Sequence, residues 1–160
     1  ARAAGLAGVV LGALLPDGRL DAVSLARLIR AAEGSDLTLH RCFDLVPDMS
    51  AALELAIGLG VRRILTSGGA RTAADGAGTI RALAGQAAGR VSIMPGAGVA
   101  ADTVAALIGL GVHEVHGSCS VGVTVEGRGA DLGFDGRVAR RTDAATVRAV
   151  KRAMEGLGQW

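Results

Sequence analysis

Residues 36–60 read DLTLHRCFDLVPDMSAALELAIGLG, and this stretch decides the fold. It opens on a short apolar run with strand character, Asp36 to His40, and passes through the polar group His40-Arg41-Cys42-Phe43-Asp44. Pro47 or Asp48 then starts a helical pattern carrying Met49, Leu53, Leu55, Ala56 and Leu59, which stops at Gly58 or Gly60. Working outward, the same unit recurs. Further strand-like runs lie at Gly8–Gly12, Arg63–Thr66, Val91–Met94 and Glu114–His116. Helical patterns follow Asp21 (Val23, Leu25, Leu28, Ile29), run from Asp75 to Ala88 (Ile80, Leu83), and follow Asp102 (Val104, Leu107, Ile108) and Asp143 (Val147, Val150, Met154, Leu157). Asp before an apolar-periodic run and Gly after it are start and stop signals, because they satisfy the unpaired backbone groups at helix ends.

None of the five runs alternates cleanly with charges, as a sheet face open to water would. Strand, loop and helix repeated five times predict an α/β fold of parallel strands covered by helices. The regular unit, with no switch in pattern, favours a TIM (β/α)8 barrel over a doubly wound sheet. A barrel takes about 200 residues or more, so 160 residues correspond to about five of the eight units. The chain is thus expected to be a single partial-barrel domain over residues 1–160. Ala1 to Gly5 read as the end of a helix, which puts about three missing units before it. Val121 to Gly136 reads as a Gly-rich loop.

Composition narrows the function. Phe, Trp and Tyr together number three, so the core must be built from Val, Leu, Ile and Ala. The net charge of +2 rests on 17 basic residues, of which only Lys151 is lysine. Arg137, Arg140, Arg141, Arg148, Lys151 and Arg152 cluster near the C-terminus, but Asp135, Asp143 and Glu155 interleave them and no aromatics do. They read as a solvated helix face, and nucleic acid is not the expected partner. No apolar run reaches the roughly 18 residues of a membrane span. Cys42 and Cys119 form neither a CxxC pair nor a disulfide framework, which fits a reducing, cytosolic compartment.

In parallel αβ units, chemistry gathers at the C-terminal strand ends. Here those ends hold His40, Arg41 and Asp44; Ser67; the Gly96-Ala97-Gly98 loop; and His116, Gly117 and Ser118. Arg41 can clamp a carboxylate or phosphate, with Asp44 orienting it, or the two can form an ion pair that only stiffens the loop. His40 and Arg41 are neighbours on a strand and should point oppositely unless the strand has ended. Arg41, Gly96, Ala97, Gly98 and Gly117 are the anion-site candidates, in a region where this fold often seats phosphate. His40 and His116 are acid/base candidates. Ser67 and Ser118 read as hydrogen-bonding walls, since no GxSxG elbow is present. Cys42 and Cys119, near His40 and His116, could offer Cu(I) a soft site; the alternative is two small buried apolar cysteines.

Several of these stretches together resemble the CutC family, known as copper homeostasis proteins. Gly8-Val9-Val10-Leu11-Gly12-Ala13-Leu14, followed by Pro16-Asp17-Gly18, is similar to that family's fourth-strand segment. Thr38-Leu39-His40-Arg41-Cys42-Phe43-Asp44 resembles its HRAFD strand, with Cys42 at the alanine position. Gly60 to Gly68, Ile93 to Val99 and Glu114 to Ser118 resemble its later strand ends. The resemblance implies a cytosolic (β/α)8 barrel, often a homo-oligomer, linked to copper tolerance, with no reaction firmly assigned. The cysteines proposed as copper ligands in the family lie in strands that this chain lacks, so that ligand set is not carried over to any residue here.

Overall fold

The computed structural model describes residues 4–132 and 138–157. Ala1, Asp135, Arg137 and the end of the Val121–Gly136 stretch lie outside the described residues. Four parallel strands form the main sheet: β1 (Gly8–Leu11), β2 (Asp36–Leu39), β3 (Arg63–Thr66) and β4 (Ser92–Pro95). They lie side by side in chain order. Helices α1 (Ala22–Ala31), α2 (Met49–Gly58) and α3 (Ala77–Ala87) connect them, and α4 (Val104–Ile108) follows β4. A 3-10 turn, Arg41–Leu45, stands between β2 and α2.

Parallel neighbours in chain order, joined by the right-handed crossovers that such units adopt, carry their helices on one face. Register shows which face. Leu11, Leu39, Ile64 and Ile93 are aligned across the four strands and buried, in one core with Leu25 of α1, Leu53 of α2, Ile80 of α3 and Leu107 of α4. The opposite face carries Val10, Thr38, Arg63, Leu65, Ser92 and Met94. Val10 is 66% exposed and only Thr38 is buried. On this face the Arg63 guanidinium donates to Asp36, Thr38 and Glu114, which ties the segment after α4 back to β2 and β3.

Helix capping follows the sequence in part. Asp21, Asp48 and Asp143 accept from the backbone N–H of Ser24, Ala51 and Thr146. Asp75 and Asp102 do not cap; α3 starts after Gly76 and α4 after Thr103. Asp75 instead accepts from the Thr72 hydroxyl.

Three expectations are corrected. The fifth parallel strand, Glu114–His116, is reduced to one bridge, His116 opposite Gly96. Its N–H donates to the Pro95 carbonyl at 2.8 Å. The Gly96 N–H donates to Thr66 on the β3 side, so the next residue back, Pro95, faces the fifth segment. Proline has no N–H to give the carbonyl at Glu114, and the ladder stops. Second, the stretch read as a loop contains β5 (Ser120–Thr124), which pairs antiparallel with β6 (Val138–Thr142), and a short helix α5 (Arg128–Asp131). Val121, Val123, Thr124 and Val138 are the β-branched residues whose strand preference outweighed the intervening glycines. Third, Arg140 and Arg141 lie on β6, not on a helix face. Arg148, Lys151 and Arg152 do lie exposed on α6 (Ala144–Glu155).

The two sheet faces should respond differently to truncation. Ile64→Ala, at a fully buried centre, is expected to lower the unfolding free energy by about 2–5 kcal/mol. Val10→Ser should cost about 0.5 kcal/mol or less. Urea titrations of both variants check this, and equal losses would mean that the Val10 face is packed in solution.

Candidate functional site

The strand ends are organised by one carboxylate. Asp44, on the 3-10 turn after β2, reaches across to the end of β3. Its Oδ1 accepts from the Thr66 hydroxyl and from the backbone N–H of Ser67 (3.0 Å) and Gly69 (3.2 Å). Its Oδ2 accepts from Arg41 Nε (2.6 Å) and the Ser67 hydroxyl (3.1 Å). The side chain is only 6% exposed. Burial alone would push this carboxyl up, but the hydrogen bonds from Thr66, Arg41, Gly69 and Ser67 prevail and hold it below the ordinary carboxylate range. With both oxygens so engaged, Asp44 is an anchor for Arg41 and the β3 loop.

Arg41 is thereby aimed. Nε binds Asp44, and Nη2 donates to the Ser67 hydroxyl at 2.6 Å. Nη1 has no hydrogen bond among the described residues. The guanidinium stands at one side of a cavity of about 460 Å3, whose other walls include the Ala97–Ala100 loop, His116–Ser120, Arg140 and Thr146. Leu65 forms part of its wall. Among the described residues no aspartate or glutamate lines it.

The loops around this cavity need particular backbones. Ala97 (φ 77°) and Cys119 (φ 45°) are two of three described non-glycine residues in the left-handed region. Such conformations cost of order 1 kcal/mol or more and persist where surrounding structure fixes them. The Ala97 carbonyl accepts from Ala73 N–H, and the Cys119 carbonyl from Asp143 N–H. Behind Ser67, the chain crosses itself so closely that a Cβ on Gly76 would overlap the Ser67 carbonyl oxygen.

Among the sequence candidates, Arg41, Ala97, Gly98, His116, Gly117, Ser118 and Cys119 line the cavity. Asp44 and Ser67 sit behind Arg41. Gly96 lies under Leu65, whose Cδ1 leaves no room for a side chain there. His40 and Cys42 turn the other way, against Gly12, where a Cβ would stand 2.6 Å from both His40 Nε2 and Cys42 Sγ. The strand ends at Leu39, yet the neighbours His40 and Arg41 still diverge. Ser120, Arg140 and Thr146 were not legible as site residues. Arg140 was hidden in a basic cluster, and only pairing of β5 with β6 brings it here.

A second cleft of about 490 Å3 lies between the β1–α1 loop and α2 and is largely apolar, lined by Leu15, Leu20, Val46 and Leu55. It contains none of the candidates, and its carboxylates, Asp21 and Asp48, are engaged in helix capping. The smaller cavity at the strand ends is the better functional candidate.

Copper fits these residues poorly. Soft metal sites use thiolates and imidazole nitrogens free of protons. Burial pushes the Cys42 thiol up, with the Asp44 charge adding to it. His40 Nδ1 accepts the Cys42 N–H at 3.1 Å, so the neutral ring carries its proton on Nε2. Cys119 is in the cavity wall and Cys42 is not. Among the described residues no three His, Cys, Asp or Glu side chains gather in a metal-binding group.

Two substitutions follow from this site. Asp44→Asn keeps the shape and removes the charge, and should cost on the order of 1–3 kcal/mol at pH 7. The folded pKa lies below 3.8, the ordinary value; the stabilisation is therefore complete above that pH and is lost as pH falls through the folded value. Urea midpoints of the wild type and Asp44→Asn should converge below about pH 4. Gly76→Ala should cost on the order of 1–3 kcal/mol by forcing the Ser67 backbone aside, measurable by the same titration.

Residues 1–121 match the CutC family model. A CutC family protein of Rhizobium meliloti (strain 1021) is 52% identical over 157 residues, covering 97% of this chain and 64% of the relative. A CutC family protein of Agrobacterium fabrum (strain C58) is 53% identical, covering 94% and 61%. The chain thus spans less than two thirds of the length of the curated relatives it matches. A solved CutC protein from Streptococcus agalactiae, named for copper homeostasis, superposes with a TM-score of 0.64 at 31% identity, over 68% of this chain and 54% of that one. A structure named as an aldolase superposes at TM-score 0.50 with 17% identity, and bears on the fold alone.

Proposed function

Because the chain belongs to the CutC family, we propose that it forms roughly the fourth to eighth units of a (β/α)8 barrel whose strand-end cavity binds a small anionic or phosphorylated metabolite. The barrel is supported by the one-sided helix layer. A parallel sheet is normally covered on both faces, and closure would bury Val10, Leu65 and Met94 as interior layers. The aldolase-like superposition supports the same architecture.

The observation that carries the ligand is Arg41. A guanidinium held by Asp44 and Ser67 at the edge of a cavity that no carboxylate among the described residues lines is prepared for an anion. The Ala97–Gly98 turn, Gly117 and Ser118 supply further polar walls. His116, which also lines the cavity, is the acid/base candidate on an enzymatic reading; His40 would serve only a ligand reaching toward Gly12. A cytosolic homo-oligomer belongs to this proposal, supported by the paired-cysteine-free sequence and by the open edge of β1, which a barrel or another copy would cover.

Copper handling is the second reading. It is supported by the name of the Streptococcus agalactiae relative. Against it, Cys42 and His40 are poor donors here, the thiol pushed up by burial and the His40 Nδ1 already hydrogen-bonded, and no three ligating side chains gather among the described residues.

Thermal melting tests the first reading and a Cu(I) competition the second. Inorganic phosphate at millimolar concentration should raise the melting temperature by a few degrees, as mass action requires for a ligand of native protein only. Arg41→Ala should abolish the shift. Cu(I) affinity, measured by competition with a chromophoric chelator, should be the same in the Cys42→Ser/Cys119→Ser double variant as in the parent. A loss in that variant would restore the cysteines as ligands.

A further inference from the structure

We propose that Arg140 is a second anion-binding residue of the strand-end cavity, so that the ligand is a small molecule carrying two anionic groups. This rests on the reading of that cavity as an anion site. The antiparallel ribbon β5–β6 sets Arg140 opposite Gly122 and brings its side chain to the wall of the cavity that Arg41 lines from the β2 side. Among the described residues its guanidinium is oriented by neutral oxygens alone: Nε donates to the Ser120 hydroxyl at 2.9 Å and Nη2 to the Ser120 carbonyl at 2.6 Å. No ion pair among the described residues uses it.

The contrast with Arg41 is electrostatic. The charge of Arg41 is balanced by the buried Asp44 beside it. Arg140 keeps its full positive charge while losing much of its rotamer freedom to Ser120. Ser120 is itself held, its hydroxyl 2.9 Å from that of Ser118. The left-handed backbone at Cys119 turns the chain between these two serines. Such an arginine pre-orders its remaining donors for an incoming oxyanion, and planar guanidinium forks suit carboxylate or phosphate. With an arginine on each of two walls and, among the described residues, no carboxylate lining the space, a monoanion can satisfy one cation and a dianion both. At about 460 Å3 the space falls in the range of small-ligand pockets.

Thermal-shift titrations of the whole chain with inorganic phosphate, with succinate, and with butyrate as a monocarboxylate of the same carbon count test the inference. Succinate is expected to bind at least about tenfold more tightly than butyrate, about 1.4 kcal/mol. Arg140→Gln should erase that advantage and bring succinate down to the affinity of butyrate. Arg140→Lys, which keeps the charge without the fork, should recover part of it and guards against a folding defect in the first variant. Equal affinities for succinate and butyrate, or an advantage that survives Arg140→Gln, would overturn the inference. If phosphate still protects the wild type and fails in Arg41→Ala, the anion reading stands without it. If none of the three probes shifts the melting temperature, both fall together.

Discussion

A parallel sheet whose strands follow one another in chain order has one covered face, and the rest of this molecule is arranged around that constraint. Each right-handed crossover returns its helix to the same side, so Leu11, Leu39, Ile64 and Ile93 share a single core with the helices. The other face is left to close on itself or on something else. Its residues are layered accordingly, with the Arg63–Asp36–Glu114 charges at one end, Val10, Leu65 and Met94 in the middle, and the polar strand ends at the other. The strand-end cavity lies at the boundary between this face and the polar loops, where a few polar groups are held by one another.

Asp44 turns that boundary into a site. Five donor groups from two stretches of the chain, the 3-10 turn and the end of β3, converge on its two oxygens, so the position of Arg41 and the course of the β3 loop are fixed together. The close crossing at Gly76 and the left-handed backbones at Ala97 and Cys119 serve the same end, since each lets a loop approach where a more regular chain would pass at a distance. The cations on the two sides of the cavity are then unequal. One is compensated from behind by a carboxylate, and the other is held by a serine and retains its charge.

The metal question has the opposite character. Cys42 and His40 are close to one another, as their proximity in sequence suggested, and the fold sets both against Gly12. Yet the proton and hydrogen-bond inventory runs against a soft metal there, because the nitrogen that lacks a proton is already engaged and the thiol is kept protonated by burial. Proximity of ligating residue types is not a donor set until their protons are counted.

The sequence by itself determined the periodic part of the fold. Apolar runs, Asp starts at Asp21, Asp48 and Asp143, and Gly stops are local signals, and they place four strands and their helices because each answers to its own neighbours in the chain. It also singled out Arg41 and Asp44, since their spacing forms an ion pair within one turn. Tertiary structure alone decided the rest. Whether Glu114–His116 forms a strand depended on the missing N–H of Pro95 on the adjacent strand. The place of Arg140 depended on pairing between β5 and β6, whose partners are Ser120 with Thr142 and Gly122 with Arg140. Contacts of that kind join residues far apart in the chain, and no local periodicity carries their register.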